Sequence, residues 1–493
     1  MKISFDNEKY LKLQSENILN RVNQFGDKLY IEFGGKLFDD YHASRVLPGF
    51  EKDTKLKMLL KIKDDVEVVI AISAKDIIKN KIRNDIGINY EGEVLRLIDA
   101  FRESSLFVGS VCVTQYQDAP TVNTFIKKLN NLGIPTYKHY VIEGYPHCID
   151  KIISEEGFGK NEYIKTNHRI VVVTAPGPGS GKMATCLSQL YHENKNGVKA
   201  GYAKYETFPI WNLDLKDPVN LAYEAATADL NDVNMIDPYH LNAYGKMAVN
   251  YNRDVEIFPV LKSMFTAIYG HCPYQSPTDM GVNMAGFAIC DKEASSLASK
   301  NEIIRRYFQA KVDLRNGKVN ETTVEKIKCL MQELNITPLD RLCVKEALKK
   351  KESSQTEAMA MELNDGTIIS AKTSSLLLAP AALILNALKH LAGIPDELTL
   401  IAPSIIEPIS TMKTKILGNR NPRLHANEVL NALAISATTN PLADLAIKQL
   451  SSLQGSQAHS SVILSEVDSN IFKKLKVDVT TEDRAYAHRL FVK

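Results

Sequence analysis

The chain has almost no net charge, since 60 Lys and Arg stand against 58 Asp and Glu and leave +2 over 493 residues. That balance gives no general electrostatic reason to bind nucleic acid, and none is expected as a partner. There is no uninterrupted apolar run near the ~20 residues that span a bilayer, and the first residues hold no signal-peptide core. A cytoplasmic location without membrane association is therefore expected. The seven cysteines, Cys112, Cys148, Cys186, Cys272, Cys290, Cys329 and Cys343, are odd in number and never spaced C-x-x-C. Neither a disulfide framework nor a zinc knuckle is indicated. H-E-x-x-H is absent, which argues against a zincin-type protease, and so is G-x-G-x-x-G. No metal motif and no flavin, haem, nicotinamide or iron–sulfur signature is found.

What is present is an ordinary globular composition, 44% hydrophobic and 24% charged, in a chain long enough for two to four domains. The first part alternates β-branched runs at 66–72, 106–114, 136–142 and 170–174 with helical spacing at 121–132 and 149–156. Such alternation implies a mostly parallel sheet covered on both faces, with ligands outside the carboxyl ends of its strands. From 218 to 351 the apolar spacing becomes mostly helical, at 220–230, 255–269, 292–311 and 322–334. At 358–363 and 367–372, strand-like runs flank Asn364-Asp365-Gly366, a hairpin signal; an alanine-rich helix at 379–391 and a strand at 398–401 follow. The expected fold class is α/β, with an N-terminal α/β domain over 1–217, a helical region over 218–351 and a smaller C-terminal α/β domain over 352–493.

The most informative segment is 169–186, where an apolar β-branched run breaks into Ala-Pro-Gly-Pro-Gly-Ser-Gly-Lys and then a helix-forming stretch. A strand feeding such a turn aims backbone N–H groups, the positive helix end and the Lys182 ammonium at one small volume. Gly177, Gly179, Ser180, Gly181 and Lys182 are accordingly candidate phosphate-binding residues. The P-loop pattern is met only in part: Pro176 replaces its first glycine, and Met183 replaces the Ser or Thr that helps hold Mg²⁺. Thr185, one helical turn in, is the candidate to supply the missing hydroxyl. The alternative is a tight strand-to-helix connection whose glycines serve backbone geometry alone.

Two further segments concentrate polar side chains. In 33–50, Gly34, Gly35, Lys36, Asp39, Asp40, His42, Ser44 and Arg45 follow a short apolar run. Lys36 and Arg45 are candidate phosphate contacts, and the alternative is a polar loop with a structural salt bridge. In 250–254 and 276–283, Arg253 is read as an anion clamp, Asp279 as a general base and Asn283 as a substrate-orienting amide. The alternative there is a set of buried polar ties. Asp214, after 210–213, and Glu206 are weak counterparts of a Walker-B acid.

Together, 33–50, the glycine turn, 224–230, 249–254 and 276–286 resemble the bacterial uncharacterised protein family 0371, also called domain of unknown function 1846. The resemblance covers essentially the whole chain. It implies a mixed α/β architecture with a helical middle and a C-terminal α/β part, and it lends no activity. The residues support a cytoplasmic protein that binds a nucleotide or phosphometabolite, as an enzyme of phosphoryl-transfer or ATP-dependent ligation type. ATP or another nucleotide with Mg²⁺ is the candidate cofactor, and a phosphorylated small molecule the candidate partner. The alternatives are a non-catalytic sensor and an oligomeric scaffold. A homodimer is also expected, because the alanine-rich helices at 379–391 and 426–437 carry more apolar surface than an exposed helix should.

Overall fold

The computed structural model describes residues 2–35, 37–38, 40–83 and 87–485. Its described residues divide into two compact units, one within 3–224 and 231–296, the other formed by 297–485 with Lys2 and Ala225–Leu230.

The first unit is built on six strands: β1 (Lys28–Phe33), β2 (Val66–Ser73), β3 (Phe107–Tyr116), β4 (Thr136–Tyr140), β5 (Ile170–Thr174) and β6 (Ala200–Tyr205). Their order is β4-β3-β2-β5-β1-β6, and every pairing is parallel. The strands read as near-continuous apolar runs because both faces are covered. Val66, Val68, Ile70, Ile72, Ile170 and Val172 face one core with helix α1 (Asn7–Phe25). Val69, Ala71, Val171 and Val173 face the other, with α2 (Lys182–Lys195) and α3 (Asn252–Tyr269). After β2 the chain winds outward through β3 to β4, then returns to place β5 on the opposite side of β2. That reversal opens a crevice outside the carboxyl ends of β2 and β5, the usual ligand position in an open α/β sheet.

Two details depart from the sequence reading. The helix over 149–156 stops at Ile152, since the chain turns so tightly that a Cβ on Gly157 would lie 2.1 Å from the Lys151 carbonyl oxygen. The helical middle contains an antiparallel pair, β7 (Asn234–Ile236) and β8 (Val249–Tyr251), whose three-residue strands are too short to show a period.

The second unit holds a mixed sheet of β9 (Ala358–Glu362), β10 (Ile368–Lys372), β11 (Gln457–Ser460) and β12 (Asp478–Thr481), in the order β10-β9-β11-β12. β9 is antiparallel to both neighbours, and β11 and β12 are parallel. The expected hairpin forms at Asn364–Gly366, where Gly366 has φ +87°. No strand forms at 398–401. There the Leu398 N–H closes a turn on Pro395, and the Leu400 carbonyl accepts from the Asn440 side chain instead of a neighbouring strand. The alanine-rich helices Ala379–Leu391 and Ala426–Ser436 bury Leu383, Ile384, Ala387, Val429, Ala432 and Leu433 in this unit's core. The second of them keeps Ile435 60% exposed. Among the described residues no helix is long and apolar enough to cross a membrane.

Candidate functional site

The glycine turn leaves β5 at Thr174 and enters α2 at Lys182. Gly179 and Gly181 have φ +77° and +84°, a region that L side chains adopt only with strain. Gly177 is required for a different reason, since a Cβ there would lie 2.1 Å from the Tyr90 hydroxyl. The turn is pinned by Thr114 at the end of β3, whose hydroxyl donates to the Ser180 carbonyl at 2.7 Å, and by the Ser180 hydroxyl, which donates to the Gly177 carbonyl at 3.0 Å. So fixed, it presents backbone N–H groups outward. From Gly179 to Ala184, six consecutive N–H groups have no acceptor within the described protein, and no side chain caps α2. Such a row at the positive end of a helix dipole is a ready anion site.

Five of the six residues, Gly179 and Gly181 to Ala184, line a cleft of about 520 Å³, within the usual size of a small-molecule site. Lys182 and, beyond the end of β2, the exposed Lys75 also line it, and neither has an ion-pair partner among the described residues. Among the described residues one carboxylate lines the cleft, that of Glu32 near the end of β1, which accepts from the Tyr202 hydroxyl at 2.6 Å. On the β4 side lies His139, only 4% exposed. Its Nε2 is 3.2 Å from the Glu162 carbonyl oxygen, which can only accept, so Nε2 carries the proton and Nδ1 keeps a free lone pair. Burial pushes the His139 pKa down to about 4, which keeps the ring neutral. Tyr145 completes the wall, its phenol pushed up to about 12 by burial and by the charge of Glu32.

Next to the cleft, β6 carries a buried charge cluster. Glu32 and Lys204 are direct partners across the parallel β1–β6 ladder, so their side chains share a face. The Lys204 ammonium lies 2.6 and 2.5 Å from the two Asp254 oxygens, 2.5 Å from the Tyr251 hydroxyl and 3.4 Å from Glu206. Burial works against that ammonium, but Asp254, Glu206 and Glu32 outweigh it and raise the pKa. Burial also raises the Glu206 carboxyl, against the pull of Lys204, and Glu206 hydrogen-bonds the Tyr251 phenol. The cluster lines a second, much smaller pocket of about 40 Å³ with Trp211, Asn250, Thr278 and Asn283.

The other residues singled out in the sequence lie elsewhere. Asp279 is a helix cap: its carboxylate accepts from the Gln275 and Ser276 N–H groups at 2.9 and 3.1 Å and from the Tyr244 hydroxyl. Arg253 is paired with the buried Asp232 at 2.6 Å. Asn283 donates to the Thr207 carbonyl and accepts from the Ala285 N–H, each at 2.8 Å, which ties both ends of its amide to the backbone. None of the three lines the cleft. Thr185 does, but its hydroxyl back-bonds to the Gly181 carbonyl at 3.0 Å. Arg45 stands 5.8 Å from the Tyr41 ring centroid and away from the cleft, and Asp40 is ion-paired with Lys55 at 2.8 Å. Lys36 and Asp39 lie outside the described residues. Asp214 is exposed on a turn.

Comparison with known proteins adds a family. Models of the domain of unknown function DUF1846 match the chain twice, the N-terminal one over residues 3–335 and the C-terminal one over 339–491. A UPF0371 protein of Streptococcus thermophilus (strain CNRZ 1066) is 56% identical over 492 residues, all of both chains. UPF0371 proteins of Streptococcus sanguinis (strain SK36) and Streptococcus pneumoniae (strain JJA) are similar to the same extent, 56% over the full length of each.

Proposed function

The chain belongs to the DUF1846 family, and from that premise we propose that it binds a phosphorylated small molecule, a nucleotide or phosphometabolite, at the glycine turn and acts on it as a phosphoryl-transfer enzyme. The observation that carries this reading is the row of unsatisfied N–H groups at Gly179 and from Gly181 to Ala184, flanked by the unpaired Lys182 and Lys75, on a cleft at the switch point of the sheet. Phosphoryl transfer depends chiefly on positioning and charge neutralisation, which amides and ammonium groups supply. In this reading Lys182 and the N–H row hold the phosphoryl oxygens, and Glu32 takes the proton of an attacking hydroxyl as the bond from phosphorus to the leaving group breaks. The donor set does not fit a bound Mg²⁺ of the ATPase kind. Glu32 is the one carboxylate among the lining residues, Met183 has no hydroxyl, and that of Thr185 is engaged. No step is therefore routed through a metal.

The absent hydroxyl favours one second reading, a sensor that binds the same ligand and releases it unchanged. A thermal-shift titration with inorganic phosphate, pyrophosphate, nucleotides and sugar phosphates, on the natural protein and on Lys182→Ala, tests binding. Phosphorus NMR of any stabilising ligand then separates turnover from storage. Stabilisation that is equal in Lys182→Ala, or absent for every ligand, overturns the phosphate reading.

A further inference from the structure

The cleft offers more than phosphate donors. Glu32 and His139 both line it, and each presents an acceptor: a carboxylate oxygen beyond the one engaged by Tyr202, and the free Nδ1 of a ring 96% buried. Neither atom is sealed from solvent, so a donor that enters the cleft can reach both. Glu32 is on β1 and His139 on β4, with β5, β2 and β3 between them. Four strand spacings of about 4.8 Å place the two strands on the order of 15–20 Å apart along the sheet edge. The glycine turn, which follows β5 and touches β3 through Thr114, opens between them. A single sugar phosphate is too short to put its phosphate at the turn and still meet both acceptors.

We infer that the ligand is a diphosphate-bridged conjugate of the nucleotide-sugar class, its bridge on the glycine turn and a hydroxylated group donating on each side, to Glu32 and to His139. This rests on the phosphate reading above and extends it to the groups flanking the phosphate. The aromatic and aliphatic side chains of Tyr140, Ile142 and Tyr145 form the apolar wall for the half on the β4 side. The neutral, Nε2-protonated His139 accepts a hydroxyl or ring N–H and cannot itself bind the anion. Sites built around hydrogen-bond acceptors reject analogues that lack the donor far more strongly than apolar pockets reject a missing methylene.

The test is a calorimetric titration of inorganic pyrophosphate, ribose 5-phosphate, uridine and adenosine 5′-diphosphates and the corresponding diphosphate-glucose conjugates. A nucleoside diphosphate is expected to bind at least tenfold more tightly than pyrophosphate, and one of the glucose conjugates at least tenfold more tightly again. His139→Phe should erase the gain from the group on the β4 side with pyrophosphate affinity kept within about threefold, and Glu32→Gln should erase the gain from the other group. Conjugates that bind no better than pyrophosphate, in the natural protein alone, overturn the inference and leave the phosphate reading in place. That series needs no variant, so a misfolded His139→Phe does not shelter the claim. Failure of every ligand to bind, or equal binding to Lys182→Ala, overturns the phosphate reading itself.

Discussion

Replacing Lys204 by Met isolates the energetics of the buried cluster. The ammonium contacts both Asp254 oxygens, Tyr251 and Glu206, and the side chains of Lys204 and Asp254 are each 9% exposed. Met has similar length and no charge, so the change leaves the Asp254 carboxylate without its main partner. Breaking a buried pair in this way costs about 3–5 kcal/mol. Asp254 sits in the first turn of α3, where the helix dipole returns up to about 1 kcal/mol, and the Glu206 carboxyl can keep its proton. The net loss expected is about 3 kcal/mol. Trp211, the single tryptophan of the chain, lines the pocket beside the cluster, so its fluorescence in a urea titration reports this unit. Replacing Asp254 by Leu as well should restore a large part of the loss, because no unpaired charge remains. A loss below about 1 kcal/mol in Lys204→Met, or no recovery in the double variant, would refute the argument. The raised Lys204 pKa adds a check of sign. The stability it contributes is complete below the ordinary lysine value of 10.5 and is lost as pH rises through the higher folded value. The natural protein should therefore lose stability faster than Lys204→Met in that alkaline range.

His139 predicts the opposite end of the pH scale. Its folded pKa of about 4 lies below the ordinary 6.5, so stability should fall by about 3 kcal/mol as pH drops from 6.5 to 4 and this component should then level off; the slope should be missing from His139→Phe in paired urea titrations. Gly181→Ala forces an L side chain to φ +84° with its Cβ 3.0 Å from Thr114, so a loss of about 1–2 kcal/mol is expected, together with weaker phosphate binding; an unchanged melting temperature would contradict the geometry. Asp279→Ala removes a cap and should cost about 1 kcal/mol in thermal unfolding while leaving pyrophosphate affinity unaltered, whereas a catalytic Asp279 would lose turnover at full stability.

Where the sequence was readable, the signal was local. The runs at 66–72, 106–114 and 170–174 are mostly apolar because both faces of their strands are largely buried, and the turn after 174 carries its own glycines. The hairpin at 364–366 was equally local, since a two-sided turn signal needs no tertiary context. The run at 398–401 misled for the converse reason. Leu400 and Ile401 are apolar because they fill the core of the second unit, not because they pair with a strand. The same limit hid the cleft. Lys75, Thr114, Glu32 and His139 are far apart in sequence and meet because the strand order places the ends of their strands together. The rule that ligands lie beyond the carboxyl ends of parallel strands was already usable: Lys75 follows β2 closely, and Thr114 closes the apolar run of β3. Polar density pointed instead to Arg253, Asp279 and Asn283, because fixed hydrogen-bonding side chains look alike whether they cap a turn or hold a substrate.

The position of β1 explains why the cleft and the charge cluster adjoin. A strand that leaves α1 and inserts between β5 and β6 brings Glu32 beside Val173 of β5 on one side and Lys204 of β6 on the other. Glu32 therefore belongs to both environments, lining the cleft with the glycine turn while lowering the potential around Lys204 and Glu206. Lys204 is one cation among three carboxylates, Glu32, Asp254 and Glu206, and burial makes it costly for all three to ionise. Burial and the charges of Asp254 and Glu32 raise the Glu206 pKa, while Lys204 and the Tyr251 phenol, which donates to the Glu206 carboxyl, pull it back down.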